Sequence, residues 1–145
     1  MLVENSIRID ASPATVWRVT VDVERWPEWT PTVTSVERVG TEPFGVRSIA
    51  RIRQPAQPLS EWVVVEHVPE RRFAWETRRR GLHMVGEHEL WAEESGTRNV
   101  LRVRAAGPIA VLLAPLLRVV MRRALAEENR GLKAHCEKLE SRSAG

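Results

Sequence analysis

The first thirty residues show a pattern typical of one strand followed by two short helices. Apolar and polar side chains alternate over residues 2–9, as expected of a strand with one buried face. Ser12 precedes Pro13, and a serine cap followed by proline at the first helical position marks a helix start. A second short helical segment is predicted over residues 23–29, where Pro27 interrupts it.

From residue 33 to residue 105 the hydrophobic pattern has a period of two and predicts six further strands. Turn sequences rich in glycine, proline and charged residues separate these strands. The predicted strands are residues 33–39, 46–53, 59–68, 73–78, 82–90 and 100–105. Together with residues 2–9 they make seven short strands with close turns, which indicates an antiparallel sheet.

After residue 107 the apolar spacing changes to three, four or seven, which predicts a long amphipathic helix to about residue 139. Its apolar stripe comprises Leu113, Leu117, Met121, Leu125, Leu132, Cys136 and Leu139. Pro115 is expected to kink or split this helix early, and residues 141–145 are expected to form a frayed tail. Strands and helices are segregated, so residues 1–140 are predicted to form a single α+β domain.

Composition places the chain among ordinary globular proteins, with 43% hydrophobic and 28% charged residues in 145. A single cysteine, Cys136, excludes an internal disulfide and favours a reducing, cytoplasmic setting. The longest apolar run, residues 109–117, is far shorter than the roughly 20 residues of a membrane span, so no integral membrane segment is predicted. The opening residues do not resemble a signal peptide.

The positive charge does not predict nucleic-acid binding. The formal net charge is +3, and the arginines are spread along the chain rather than gathered into one stripe or motif. No glycine-rich phosphate loop is present. His83 and His88 lie on one predicted strand but point to opposite faces, so they cannot easily share a metal ion. We therefore expect no cofactor and no metal site.

One face of the strand over residues 82–90 carries residues suited to contact a ligand. Met84 is adaptable in shape, and Gly86 lacks a side chain and can leave room for a bound molecule. His88 is the best single polar group on this face for orienting such a molecule. The alternative is a core histidine satisfied by a neighbour.

Glu128 falls between Leu125 and Leu132 on the helix stripe, a spacing that aims it at the sheet. A carboxyl group there needs a partner or stays protonated, and His88 or Arg51 is a candidate partner. A buried pair of His88 and Glu128 is a candidate catalytic pair for general acid–base chemistry. The alternative is that the apolar stripe turns gradually away from the sheet along the helix, so that Glu128 faces water.

Several segments together resemble the START-like, or SRPBCC, superfamily and its polyketide cyclase/dehydrase-like branch. The segments are "IDASPATVWRVTVDVERWPEW", "FGVRSIARIRQPAQPLSEWVV", "PERRFAWETRRRGLHMVGEH", "AAGPIAVLLAPLL" and "EENRGLKAHCEKLE". The resemblance covers nearly the whole chain. It implies the helix-grip fold, in which a curved seven-stranded antiparallel sheet grips a long C-terminal helix, with two short helices after strand 1 and an apolar cavity between sheet and helix.

In this family the short helix that carries Trp26 and Trp29 lies at the mouth of the cavity. The resemblance therefore implies that Trp29 caps the pocket and touches the ligand. The alternative is that both indoles only pin the short helix to the sheet. Either use is consistent with the few kcal/mol that burial of one indole contributes.

The leading functional hypothesis is that a small hydrophobic or amphipathic ligand, lipid-like or polyketide-like, is held between sheet and helix. The expected ligand contacts are Trp29, Phe73, Trp75, Met84, Gly86, His88, Leu117, Met121 and Leu125. The first alternative is an enzyme of the cyclase/aromatase type, acting on a polyketide or related ketone in the same cavity. The second is an interaction protein that uses the outer face of the sheet. A homodimer is left open.

Overall fold

The computed structural model describes residues 1–144, and within them the chain forms seven strands, three α-helices and one 3₁₀-helix. The strands are β1 (Leu2–Ile9), β2 (Ser35–Val39), β3 (Ile49–Arg53), β4 (Ser60–Val68), β5 (Arg72–Arg79), β6 (Leu82–Glu93) and β7 (Gly96–Ala106). The helices are α1 (Pro13–Val21), the 3₁₀-helix (Val23–Glu28), α2 (Pro108–Leu112) and α3 (Ala114–Ala144).

All seven strands form one antiparallel sheet in the order β1-β7-β6-β5-β4-β3-β2. Strands β2 to β7 follow one another as hairpins, and β1 joins the sheet beside β7. The predicted seven-stranded antiparallel sheet and the α+β class are therefore confirmed. β7 begins at Gly96, earlier than predicted, because Thr97 and Asn99 are polar but fully buried and break the expected hydrophobic pattern.

Helix α1 begins as its sequence predicts. The Ser12 hydroxyl accepts a hydrogen bond from the Thr15 backbone N–H at 3.2 Å, and Pro13 occupies the first helical turn. Val16 and Trp17 are buried on the face of the helix that packs against the sheet. The connection from β1 therefore turns sharply and returns over the face of the sheet that carries Phe73.

The terminal helical region is divided where Pro115 predicts a break. Helix α2 ends at Leu112 and α3 starts at Ala114, so that Pro115 lies in the first turn of α3, where its missing N–H removes no hydrogen bond.

The far end of α3 corrects one prediction. The tail predicted to fray over residues 141–145 is helical as far as Ala144, and Gly145 lies outside the described residues. Two carboxylates of the last turns reach back to the start of the chain: Glu137 accepts from the Asp10 backbone N–H at 2.8 Å, and Glu140 from that of Ser12 at 3.0 Å. These contacts anchor the helix end and favour its continuation.

A buried amide network holds the second half of α3 against β1 and β7. Asn129 donates to the Asn5 side-chain oxygen at 2.7 Å and accepts from the Asn99 amide at 2.7 Å. Leu132 and Cys136 are buried beside it. The first half of α3 lacks such anchors, and the space between it and the sheet is not filled.

Candidate functional site

A cavity of about 530 Å³ lies between the sheet and the first half of α3. Its volume is within the range of small-molecule sites, about 300–1,000 Å³. Its apolar lining includes Trp62, Met84, Leu101, Val103, Leu117 and Met121. The cavity is therefore formed by the central strands on one side and by the predicted helix stripe on the other.

The cavity is long and opens at one end. The mouth is formed by exposed residues 55–58 of the β3–β4 loop together with Ile109 and Leu113, whereas His88 at the inner end is buried. The distance from Leu82 to His88 along β6 is about 20 Å at the usual strand rise. The distance from Leu113 to Glu128 along the terminal helical region is about 22 Å at the helical rise, which agrees with the length along β6.

Aromatic rings surround His88 at the inner end. Its imidazole stacks on Phe73 with ring centroids 4.4 Å apart and planes 10° apart, and Trp26 and Trp75 lie at 5.2 and 6.0 Å. Phe73 and His88 face each other because they are register partners in the β5–β6 pair. Stacked and apolar surroundings remove water from His88, and burial lowers its pKa to about 3.

Glu128 meets His88 at the inner end of the cavity. Its Oε1 lies 3.8 Å from His88 Nδ1, and the helical spacing that predicted an inward carboxyl group is what places it there. Burial raises the pKa of Glu128 to about 8. The carboxyl group is a lining residue of the cavity rather than a solvated one.

Near neutral pH this pair is uncharged. Burial disfavours the charged form of both groups, so it raises the pKa of the Glu128 carboxyl group and lowers the pKa of the His88 imidazole. Both shifts favour the neutral pair over the ion pair. The inner end therefore offers a neutral carboxylic acid, which donates, and a neutral imidazole, which accepts.

The other proposed partner of Glu128 lies elsewhere. Arg51 binds Glu61 at 3.0 Å on the exposed face of β3 and β4. The alternation of β3 explains this position, because Ala50 and Ile52 take the buried face and leave Arg51 on the other. The suggestion of an Arg51–Glu128 pair is therefore wrong, whereas His88 is within 4 Å of Glu128.

Most of the residues expected to contact a ligand line the cavity. They are Trp75, Met84, Gly86, His88, Leu117, Met121 and Leu125. Phe73 and Trp29 are not lining residues. Phe73 is fully buried behind His88, where its ring also contacts Phe44 and Trp17. A side chain on the correct face of a strand can thus still be covered by its neighbour.

Trp26, not Trp29, is the indole of the 3₁₀-helix that lines the cavity. Trp26 donates from Nε1 to the Thr20 carbonyl at 3.0 Å, and Trp29 packs against it with centroids 5.6 Å apart. The Trp29 carbonyl lies so close to Gly131 of α3 that a Cβ at position 131 would overlap it. Trp29 therefore pins the 3₁₀-helix to α3, which corrects its prediction as a cap over the pocket.

The space above Gly86 is already occupied. A Cβ at this position would lie 3.1 Å from Trp75 Nε1 and 3.6 Å from a ring carbon of Trp62. Gly86 lets these two indoles approach β6 closely, and it does not leave an empty space for a ligand. Both indoles contribute to the cavity wall.

Sequence reasoning missed Trp62, Gln54 and Arg79, which also line the cavity. The signal for Trp62 is the alternation of β4, where Ser60, Trp62 and Val64 are all buried. Arg79 has no comparable signal, because its guanidinium reaches across the mouth to the Ser60 hydroxyl and the Pro58 carbonyl.

An antiparallel seven-stranded sheet, a long terminal helix over one face, short helices after β1 and a cavity between them define the helix-grip class of START-like proteins. The chain belongs to the family described as "Polyketide cyclase / dehydrase and lipid transport", whose model matches residues 2–137. The predicted family is therefore confirmed.

Solved structures agree with this assignment. TTHA0849 from Thermus thermophilus is 25% identical, with a TM-score of 0.77, over 94% of this chain and 97% of that one. The Zhui aromatase/cyclase from Streptomyces sp. R1128 is 21% identical, with a TM-score of 0.76, over 95% and 94%. A START superfamily protein from Mycobacterium smegmatis is 14% identical, with a TM-score of 0.78, over 95% and 98%.

No curated protein matches the chain. Among the described residues, no helix is both long and apolar enough to cross a bilayer.

Proposed function

We propose that this protein binds a small apolar or amphipathic molecule in the cavity between the sheet and α3. The observation that carries the proposal is the cavity itself, about 530 Å³ with mainly apolar walls and polar groups gathered at its two ends. A core of this size normally packs to near-crystalline density. An unfilled space this large therefore favours an occupant.

The polar groups at the inner end limit the chemistry of that occupant. Glu128 donates and His88 accepts without either carrying a charge near neutral pH, so a hydroxyl group can pair with both and a carbonyl oxygen can accept from Glu128. A permanently charged group there would lose its hydration without gaining a counter-charge. The expected ligand is therefore lipid-like or polyketide-like, with its apolar body toward the mouth and a neutral oxygen at the inner end.

Binding is tested with native mass spectrometry of the freshly purified protein and with titration of the neutral fluorescent probe N-phenyl-1-naphthylamine. Ala124 lines the cavity on α3, whereas Ala134 is exposed on the same helix. Ala124→Phe should fill the cavity and weaken probe binding at least tenfold. Ala134→Phe is the matched control and should bind like the wild type. Equal binding by all three proteins would contradict the proposal.

The second candidate is an enzyme of the cyclase type, and the 3.8 Å separation of His88 and Glu128 inside an apolar cavity favours it. In such a reaction His88 would remove a proton from the carbon beside a ketone. Glu128 would protonate the carbonyl oxygen attacked by that carbon, which forms a carbon–carbon bond.

A soluble β-polyketone analogue separates the two candidates. An enzyme would convert it, and His88→Ala or Glu128→Gln would abolish conversion while the analogue still binds. A binding protein would return the analogue unchanged. Conversion that persists in both variants would remove these residues from any catalytic role.

A further inference from the structure

Among the described side chains, the most exposed apolar ones lie at the end of α2 and in the first turns of α3. Val111 and Leu112 are each 78% exposed, and Leu116 and Val119 are each 60% exposed. With Leu113 and Val120 they form one group at the end of the molecule that carries the cavity mouth, here called the apolar tip. Isolated exposed apolar residues are normal, but contiguous groups of this kind mark interaction sites.

The first turns of α3 are apolar on two faces. Leu117, Met121 and Leu125 line the cavity, whereas Leu116 and Val119, spaced for an adjoining face, point to solvent. A helix that only covers a sheet keeps its second face polar. The outward apolar residues are therefore not explained by the packing of this chain.

Positive charge surrounds the apolar tip. Residues 107–126 contain three arginines and no acidic residue, and Arg118, Arg122 and Arg123 are exposed. The end of β5 and the turn that follows it add residues 78–80, all arginine. This turn is joined to α2 by a hydrogen bond from the Ile109 N–H to the Gly81 carbonyl at 3.0 Å.

These arginines make few contacts with carboxylates of the same chain. Arg78 approaches Glu76 only at 3.8 Å, and Arg79 binds the neutral Ser60 and Pro58. By contrast, Arg72 and Arg102 on the outer face of the sheet each contact several carboxylates. Within the described residues, Arg80, Arg118, Arg122 and Arg123 form no ion pair.

We infer that the apolar tip docks on an anionic lipid bilayer. A bilayer surface supplies both chemistries in the right arrangement, because its headgroups pair with arginine and its acyl region accepts the side chains of the apolar tip. A second copy of this chain fits less well, since a symmetric contact would bring two arginine clusters together. The docking inserts side chains and does not require the chain to span the membrane.

The geometry also gives docking a use. Ile109, Leu113 and Val120 lie in or beside the apolar tip and also line the cavity. The docked protein would therefore hold its cavity mouth against the bilayer. An apolar ligand could then pass between the cavity and the bilayer without crossing water. This consequence rests on the proposed function, whereas docking itself does not depend on any occupant of the cavity.

Vesicle co-sedimentation tests the inference, with phosphatidylcholine alone and with about 30% phosphatidylglycerol added. The wild type should bind the anionic vesicles and lose most binding when salt is raised to about 0.5 M. Leu112→Ser with Leu116→Ser should weaken binding at least tenfold. Arg118→Gln, Arg122→Gln and Arg123→Gln together should weaken it by about 100-fold at low salt.

Matched variants control for surface apolarity and charge. Val46→Ser with Val68→Ser changes two exposed valines away from the apolar tip, and Arg18→Gln, Arg71→Gln and Arg130→Gln remove equal charge elsewhere. Both should bind like the wild type. Absence of binding to anionic vesicles, or equal losses in the control variants, would overturn the inference. A wild-type dimer that the serine variant dissociates, without vesicle binding, would instead make this face a self-association surface.

Ala124→Phe distinguishes failure of docking from failure of the proposed function. This variant keeps the apolar tip and its arginines, so it should bind vesicles while losing the naphthylamine probe. Vesicle binding that disappears together with probe binding would mean that the cavity, not the apolar tip, holds the lipid.

Discussion

At the residue scale, the two buried ionisable groups of the cavity make stability depend on pH in opposite ways. The pKa of Glu128 is raised from 4.5 to about 8, so the folded state loses stability as pH rises between those values. The pKa of His88 is lowered from 6.5 to about 3, so the folded state gains stability as pH rises between those values. Above pH 6.5 only the loss due to Glu128 remains.

Glu128→Gln should remove that loss. Between pH 6.5 and 8.5 the wild type is expected to lose about 2 kcal/mol of unfolding free energy through this carboxyl group. Glutamine has nearly the same shape and does not ionise, so the variant should hold its stability over this range. Urea unfolding at pH 6.5 and pH 8.5 measures the difference, and Glu127→Gln, one position along α3, should keep the wild-type loss.

If the wild type and Glu128→Gln lose the same free energy between these two pH values, Glu128 is ionised or solvated in the folded protein. The neutral His88–Glu128 pair, and the ligand chemistry inferred from it, would then be wrong.

Individual side chains also show where sequence reasoning ends. The spacing of Glu128 between Leu125 and Leu132 is sufficient to predict that it points inward, because helical geometry is local. The role of Trp29 is not predictable, because it depends on its carbonyl meeting Gly131, a hundred residues away along the chain. Such backbone contacts leave no periodic signal in the sequence.

At the element scale, α3 divides into an anchored half and a half that covers the cavity. The anchor is the amide network in which Asn129 joins Asn5 on β1 and Asn99 on β7. Asn129 and Asn99 are almost completely buried. An unpartnered buried amide is costly, so this network fixes how α3 lies on the sheet.

Asn129→Ala should therefore destabilise the protein by about 2–3 kcal/mol. The change deletes the acceptor of the Asn99 amide and the donor to Asn5, and leaves these polar groups without their partners inside the protein. Urea unfolding at neutral pH measures the cost. Arg130→Ala, exposed at the next position, should stay within about 0.5 kcal/mol of the wild type. Equal effects of the two substitutions would show that the network does not anchor the helix.

The elements themselves are largely predictable, and for a physical reason. Strand alternation, the Ser12–Pro13 helix start and the Pro115 break all depend on neighbours close in sequence. The start of β7 and the end of α3 escape prediction because long-range polar contacts decide them. Asn99 and Thr97 are of residue types common in turns, and only their position in the folded sheet buries them. Glu137 and Glu140 accept hydrogen bonds from backbone groups at the other end of the chain.

At the scale of the whole molecule, packing is unequal between its two ends. The second half of α3 is held by buried contacts with β1, β7 and α1, whereas the first half has the cavity on one side and solvent on the other. The cavity mouth, the apolar tip and arginine residues 78–80 all lie at the less anchored end, beside the first half of α3.

Hydrogen exchange followed by mass spectrometry should detect this inequality. Amides of residues 117–124 have few buried neighbours, so they should exchange at least tenfold faster than those of residues 129–139. Saturation with N-phenyl-1-naphthylamine should slow the first set, because a bound molecule fills the space that lets this half of α3 open, and should leave the second set unchanged. Ala124→Phe should slow the first set without any probe. Uniform exchange along α3, or slowing spread over both halves, would mean that the first half of α3 is held as firmly as the second and that a bound molecule does not stabilise it selectively.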